Sequence, residues 1–173
     1  MNETLKTIFA RKSVRAFTEE PVSTETLETI IRAGMAAPSA VDKRPWEFIV
    51  VTDRQILKQL ADVLPFARMT ATAAAAVIVA GDIKKQFCGE DADYWIVDCS
   101  AATENILLAA ESLGVGAVWA AVYPEDDRIT AVSSILGIPS HIVPLNVIPV
   151  GMAGGREKPK DKWNPAQLHW NTW

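Results

Sequence analysis

Apolar residues recur at helical spacing in some stretches of the chain and run continuously in others, and the two patterns alternate from end to end. Leu5, Ile8 and Phe9 share one face of a short first helix, with Asn2 as N-cap. After the turn TEEPVS, Ser23 or Thr24 caps a second helix on Leu27, Ile30 and Ile31, ending near Gly34 and Pro38. Residues 47–53, EFIVVTD, read as a strand running into a helix that Asp53 begins and that carries Ile56, Leu57, Leu60 and Leu64. The apolar run 73–82 is a second strand. The longest helix covers roughly 93–113 and is closed by Gly114. Ile96, Val97, Ala101, Leu107, Leu108 and Ala109 leave it apolar nearly all round, which predicts burial in a core or a subunit interface. A third strand is expected over 116–124, a helix around 126–136 before Gly137 and Pro139, and a fourth strand over 145–155.

Helices and strands thus alternate in a chain of 173 residues, the size of one α/β or α+β domain. The apolar run 73–80 is too short to cross a bilayer. The first residues lack the long apolar core of a signal peptide. Two cysteines, Cys88 and Cys99, form no CxxC motif, and with only His141 and His169 besides, no metal cluster is visible. These features predict a reduced cytoplasmic protein with two free thiols.

Net charge is −4, so a nucleic-acid partner is not expected and any anion site must be local. The cations gather at the two ends. RKSVRAF, residues 11–17, sets Arg11, Lys12 and Arg15 around Ser13, donors suited to a phosphate, although a solvated basic turn has the same composition. GGREKPKDKW, residues 154–163, holds Arg156, Lys158, Lys160 and Lys162, and reads either as a plain basic tail or as a second half of the same site. In AAPSAVDKRPWEF, residues 36–48, Ser39 and Ala40 are small enough for a flat ligand to reach the backbone, but a helix-to-strand loop needs no such ligand. WAAVYP, residues 119–124, is a strand end of the kind ligands often use, or an ordinary one.

Taken in order, these stretches resemble the nitroreductase family of FMN-dependent oxidoreductases. RKSVRAF resembles its Arg-x-Ser-x-Arg motif. APSAVDKRPWEFIVV resembles its Pro-Ser-(Ser/Ala)-x-Asn-x-Gln-Pro-Trp-x-Phe loop and strand. DCSAATENILLAAESLGVGAVW, residues 98–119, resembles its central helix and the strand after it, and PKDKWNPAQLHWNTW resembles the basic C-terminal arm of short members.

The resemblance implies an α+β fold with a central mixed, mostly antiparallel sheet flanked by helices, in an intertwined homodimer with FMN at the subunit interface. Residues 1–162 would form the FMN-binding domain, and 163–173 an arm packing on the partner subunit. Arg11, Ser13 and Arg15 would grip the FMN phosphate together with Lys160 or Lys162, and Lys12 would touch the flavin through backbone or side chain. Pro38, Ser39 and Ala40 would reach the flavin of the other subunit. Trp119, Ala120, Ala121 and Val122 would lie along the ring. Asp42 and Arg44 stand where the family pattern has Asn and Gln, near the flavin's polar edge. There Arg44 is expected to raise the flavin potential unless Asp42 pairs with it. Residues 64–95, including Phe66, Phe87, Tyr94 and Trp95, would cover the flavin. The implied reaction is a ping-pong hydride transfer from NADH or NADPH through flavin N5 to a nitroaromatic, quinone or similar small-molecule acceptor, with no catalytic side chain required. The alternatives are another flavin reaction on the same fold (reductive dehalogenation, enone reduction or flavin fragmentation), a non-catalytic flavin- or phosphate-binding module, and a structural dimer whose basic clusters are solvated surface.

Overall fold

Local capping sets the helix starts. A computed structural model describes residues 1–173. Asn2 accepts the Leu5 amide at 3.0 Å at the head of α1 (Glu3–Ala10), and Ser23 accepts the Thr26 amide at 3.1 Å at the head of α2 (Thr24–Met35). Asp53 accepts the amides of Gln55 and Ile56 and begins α3 (Arg54–Val63). The long helix α4 spans Tyr94–Ser112, and α5 spans Asp126–Leu136. Gly114 and Gly137 follow these two helices with φ of 73° and 64°, a left-handed backbone that a side chain would disfavour.

The sheet contains β1 (Trp46–Val51), β2 (Ala75–Asp82), β3 (Gly116–Ala117), β4 (Ala120–Ala121) and β5 (Ile142–Gly151). Its order is β1-β2-β5-β3, with β4 also on β5. Every pairing is antiparallel, so within one chain the sheet is not mixed. The single strand expected over 116–124 is two short ones. Both keep one register along β5, Ala117 opposite Val150 and Ala120 opposite Val147. Pro149 falls opposite the intervening Val118 in that register and has no amide hydrogen to offer, which interrupts the ladder. The last strand begins earlier than expected, at Ile142, and stops at Gly151 before the glycine pair.

Strand β2 is buried along its whole length because helices cover both faces. Ala75, Val77 and Val79 point to a core shared with α2 and α4 through Leu27, Ile30, Cys99, Ala102 and Ile106. Ala76 and Ile78 point the other way, to Leu57 and Leu60 of α3 and Val132 of α5. Within one chain α4 buries a single face, along Trp95, Cys99, Ala102, Ile106 and Ala110. Val97 on its far side is exposed, and so are Leu5, Ile8 and Phe9 of α1, a helix with no buried residue. The tail from Lys158 onward is exposed, with one short 3₁₀ turn at Pro165–Gln167. No helix is long and apolar enough to cross a membrane. Both cysteines are free, Cys88 exposed and Cys99 buried, and burial pushes the Cys99 thiol up.

Candidate functional site

Residues 14–18 lie across the ends of the sheet. The Val14 amide donates to the Ala117 carbonyl at 3.0 Å, the Thr18 amide donates to Met152, and Gly154 donates back to Ala16. Val14 is buried against Gly116, where an added Cβ would come within 2.7 Å of it. Alternation along this extended segment turns Ser13 and Arg15 the other way: Ser13 is half-buried and Arg15 exposed. Arg11 and Lys12 sit where α1 ends and pair with carboxylates of α4. Arg11 Nε is 3.2 Å from Glu104, and Lys12 Nζ is 2.8 Å from Glu111. The Lys12 ammonium is therefore already engaged.

The tail returns to this segment. Glu157 accepts the Arg15 amide at 2.9 Å. Beyond it, Lys160 and Lys162 join Arg11, Phe9 and Trp163 around a cleft of about 790 Å³. Of the N-terminal cluster Arg11 meets the tail cations here, while Lys12, Ser13 and Arg15 do not line the cleft. Three cations and one carboxylate, Asp161, line this cleft in a chain of net negative charge. Such a donor set fits a phosphate dianion.

The Glu157 tie makes the junction pH-sensitive. The Arg15 amide, and next its own amide, hold the Glu157 carboxyl below its usual range, while partial desolvation opposes them. A folded-state value below the unfolded one means that the contribution is complete above the unfolded value and is lost as pH falls through the folded one. Acidification below the ordinary carboxylate range is therefore expected to detach the tail from residue 15 before the core melts. The Arg15 amide resonance, followed against pH, reads this directly.

The loop between α2 and β1 is the second element. Ser39 Oγ accepts the Arg44 amide at 3.0 Å, and Asp98 of α4 accepts the Ala40 amide at 2.9 Å. Asp42 and Arg44 form a two-point ion pair on the loop surface, Nε to Oδ1 at 2.7 Å and Nη2 to Oδ2. Arg44 holds Asp42 below the usual carboxylate range, and Asp42 pushes Arg44 up, each chiefly through these hydrogen bonds. The loop meets α4 at Asp98 and Arg11 meets it at Glu104, about 9 Å further along at 1.5 Å per residue, and no residue of the loop lines the cleft that Arg11 borders. One chain does not bring this loop onto the basic cleft.

Of the strand-end residues, Trp119 packs against the α2/α4 core and Ala120 is buried in the other; Ala121 is exposed. Phe66 is exposed beside Ala121, with the Arg128 guanidinium 5.5 Å from its ring centre. Phe87 and Tyr94 contact edge to face at 5.3 Å. Trp95 is not available to cover a ligand. Only 3% of it is exposed, its ring lies on Gly81, and Tyr123 packs edge-on against it. Sequence reading missed the acidic partners Glu104, Glu111 and Glu157, and it missed Asp98. The signal for Asp98 was a lone carboxylate on the face of α4 that otherwise reads Trp95, Cys99, Ala102, Ile106.

The sequence profile of the nitroreductase family matches residues 8–81 and 63–152. The chain belongs to the nitroreductase family. A relative from Archaeoglobus fulgidus, provisionally named an NADH dehydrogenase/NAD(P)H nitroreductase, is 42% identical, with each chain covered completely. A crystal structure from Parabacteroides distasonis under the same provisional name superposes with a TM-score of 0.94 at 54% identity, again over all of both chains. An FMN-dependent nitroreductase from Clostridium difficile R20291 superposes with a TM-score of 0.89 at 26% identity, over 98% of this chain and 99% of that one.

Proposed function

We propose that this family member is an FMN-dependent NAD(P)H oxidoreductase working as a homodimer. The observation that carries the reading is the meeting of Arg11 with Lys160 and Lys162 in one cleft of an acidic chain. Bound FMN supplies the hydride chemistry linking NADH or NADPH to a nitroaromatic, quinone or similar acceptor. Arg11, Ser13 and Arg15, with Lys160 or Lys162, hold the phosphate through charge-assisted bonds. Val14, buried beside Gly116, fixes the register of that segment. Ala121, the exposed residue at the end of β4, offers a small surface for a flat ring. Residues 38–44 meet the flavin held by the partner, in keeping with their absence from the basic cleft of their own chain. Phe66, Phe87 and Tyr94 bound the acceptor side.

Support for the dimer is the uncovered apolar surface on α1 and α4, together with Trp163, Trp170 and Trp173 exposed in the tail. In this reading 1–162 form the flavin domain and 163–173 clasp the partner.

Anaerobic addition of NADH or NADPH to the FMN-loaded protein is expected to bleach the flavin band, and a quinone to restore it. A flavin band that neither nucleotide bleaches contradicts the proposal.

Arg44 has a smaller part than its charge alone suggests. Asp42 places the opposite charge on the same loop surface, and both side chains are mostly exposed. Solvent and the partner charge screen the field at the flavin edge. Arg44→Gln is therefore expected to lower the two-electron midpoint by less than about 30 mV, the equivalent of a tenfold change in equilibrium. A larger fall, with FMN occupancy matched, assigns Arg44 to the flavin edge itself.

A further inference from the structure

Asp98 is a carboxylate in an apolar place. Helical spacing sets it on the buried face of α4 with Trp95, Cys99 and Ala102, and it is 4% exposed. None of the chain's ion pairs includes it. Its Oδ1 accepts the Ala40 amide at 2.9 Å, and its Oδ2 is buried with no partner. Burying a carboxylate with one oxygen unsatisfied costs stability, and an apolar residue would serve the core better.

The loop it holds is strained. Val41, Asp42 and Arg44 have φ of 50°, 56° and 49°, so three of four successive residues adopt a left-handed backbone without being glycine. For Val41 the branched Cβ makes this worst, and its side chain is exposed, so no packing offsets the strain. The loop's internal bonds run back to residues 39 and 40: Asp42 N–H to Ser39 O, Lys43 N–H to Ala40 O, and Arg44 N–H to Ser39 Oγ. At its far end the Pro45 carbonyl accepts the Asp82 amide of β2. Ala40 is thus the pivot of the strained turn, and Asp98 is what ties the pivot to the body of the chain. Strain of this kind persists only where the surroundings over-determine the conformation.

We infer that Asp98 is a positioning residue, which clamps residues 38–44 in the backbone conformation that receives the flavin. This rests on the proposed function for the flavin and on the geometry above for the clamp. The clamp acts before any ligand arrives, since the bond is made within one chain.

Three variants test it. Asp98→Ala removes the acceptor. Asp98→Asn keeps an oxygen acceptor in the same shape. Ala40→Pro removes the donor without altering the core, and Ser39 already has the extended backbone that a following proline requires (φ −140°, ψ 158°). Two readouts serve: hydrogen exchange at the Ala40 amide in FMN-free protein, and the FMN dissociation constant by titration. Asp98→Ala is expected to speed Ala40 exchange at least about tenfold while β2 amides stay protected. It is also expected to weaken FMN at least about tenfold, with Ala40→Pro matching that loss and Asp98→Asn staying within about threefold of wild type on both readouts. Wild-type FMN affinity in Asp98→Ala, or in Ala40→Pro should the first variant not fold, overturns the inference. So does an Asp98→Asn protein as impaired as the alanine variant. Failure of the wild type itself to bind FMN overturns the proposed function instead, and Ala40 exchange then reads the clamp by itself.

Discussion

Changing Arg11 and Arg15 together to alanine is expected to strip FMN from a chain that still folds. Neither side chain is in a core. Arg15 is tied into the fold through its backbone amide, which the substitution keeps. Arg11 pairs with Glu104, and that carboxylate is half exposed and stays hydrated when its partner goes. Hydrogen bonds to a charged group contribute about 1.5–3 kcal/mol each, so losing two weakens FMN by roughly 100-fold to 10⁴-fold. The flavin absorbance retained per chain after desalting, read beside a thermal melt, measures both halves of the expectation. A double variant that melts like wild type and keeps its full FMN contradicts the phosphate assignment.

Removing residues 163–173 is expected to be as damaging for a different reason. Trp163, Trp170 and Trp173 are 71%, 78% and 99% exposed in a single chain. Each can bury about 200 Å² of surface, a gross gain of about 5 kcal/mol per residue at 25 cal/mol per Å². Ordering the arm and restricting two subunits offsets much of this. The surplus from three tryptophans still makes a dimer at least about 100-fold tighter than one without them. Trp163 also borders the basic cleft beside Lys160 and Lys162, so the truncation should release flavin along with the partner. Sedimentation velocity with detection at the flavin band follows mass and occupancy together. A truncated chain that remains a flavin-loaded dimer contradicts the role given to the arm, as does a wild-type monomer that holds FMN.

How far the chain could be read in advance depended on whether the cause was local. Asn2, Ser23 and Asp53 cap their helices by accepting amides two or three residues on; Asn2 and Asp53 are legible outright and Ser23 as one of two candidates with Thr24. Strand β2 was legible because helices on both faces demand an unbroken apolar run. The break between β3 and β4 was not, because Pro149, which causes it, lies on another strand and meets Val118 only once the sheet has formed. The meeting of Arg11 with Lys160 and Lys162 is one of two outcomes the sequence allows, and the return of the tail through Glu157 brings it about. Trp95 was misjudged since an aromatic at the start of a helix can face either way; Gly81 leaves the hollow that draws it inward. The lone carboxylate of Asp98 on the apolar face of α4 marks an oddity but not its cause, because its partner is a backbone amide 58 residues away.

The claim on which the rest depends is that cations from both ends of the chain hold the phosphate of FMN. Titrating FMN and riboflavin separately into flavin-free protein tests it most directly, because the two ligands share the ring and the ribityl chain and differ only in the phosphate. FMN is expected to bind at least about 100-fold more tightly, the equivalent of two charge-assisted hydrogen bonds. Equal affinity for FMN and riboflavin would contradict it.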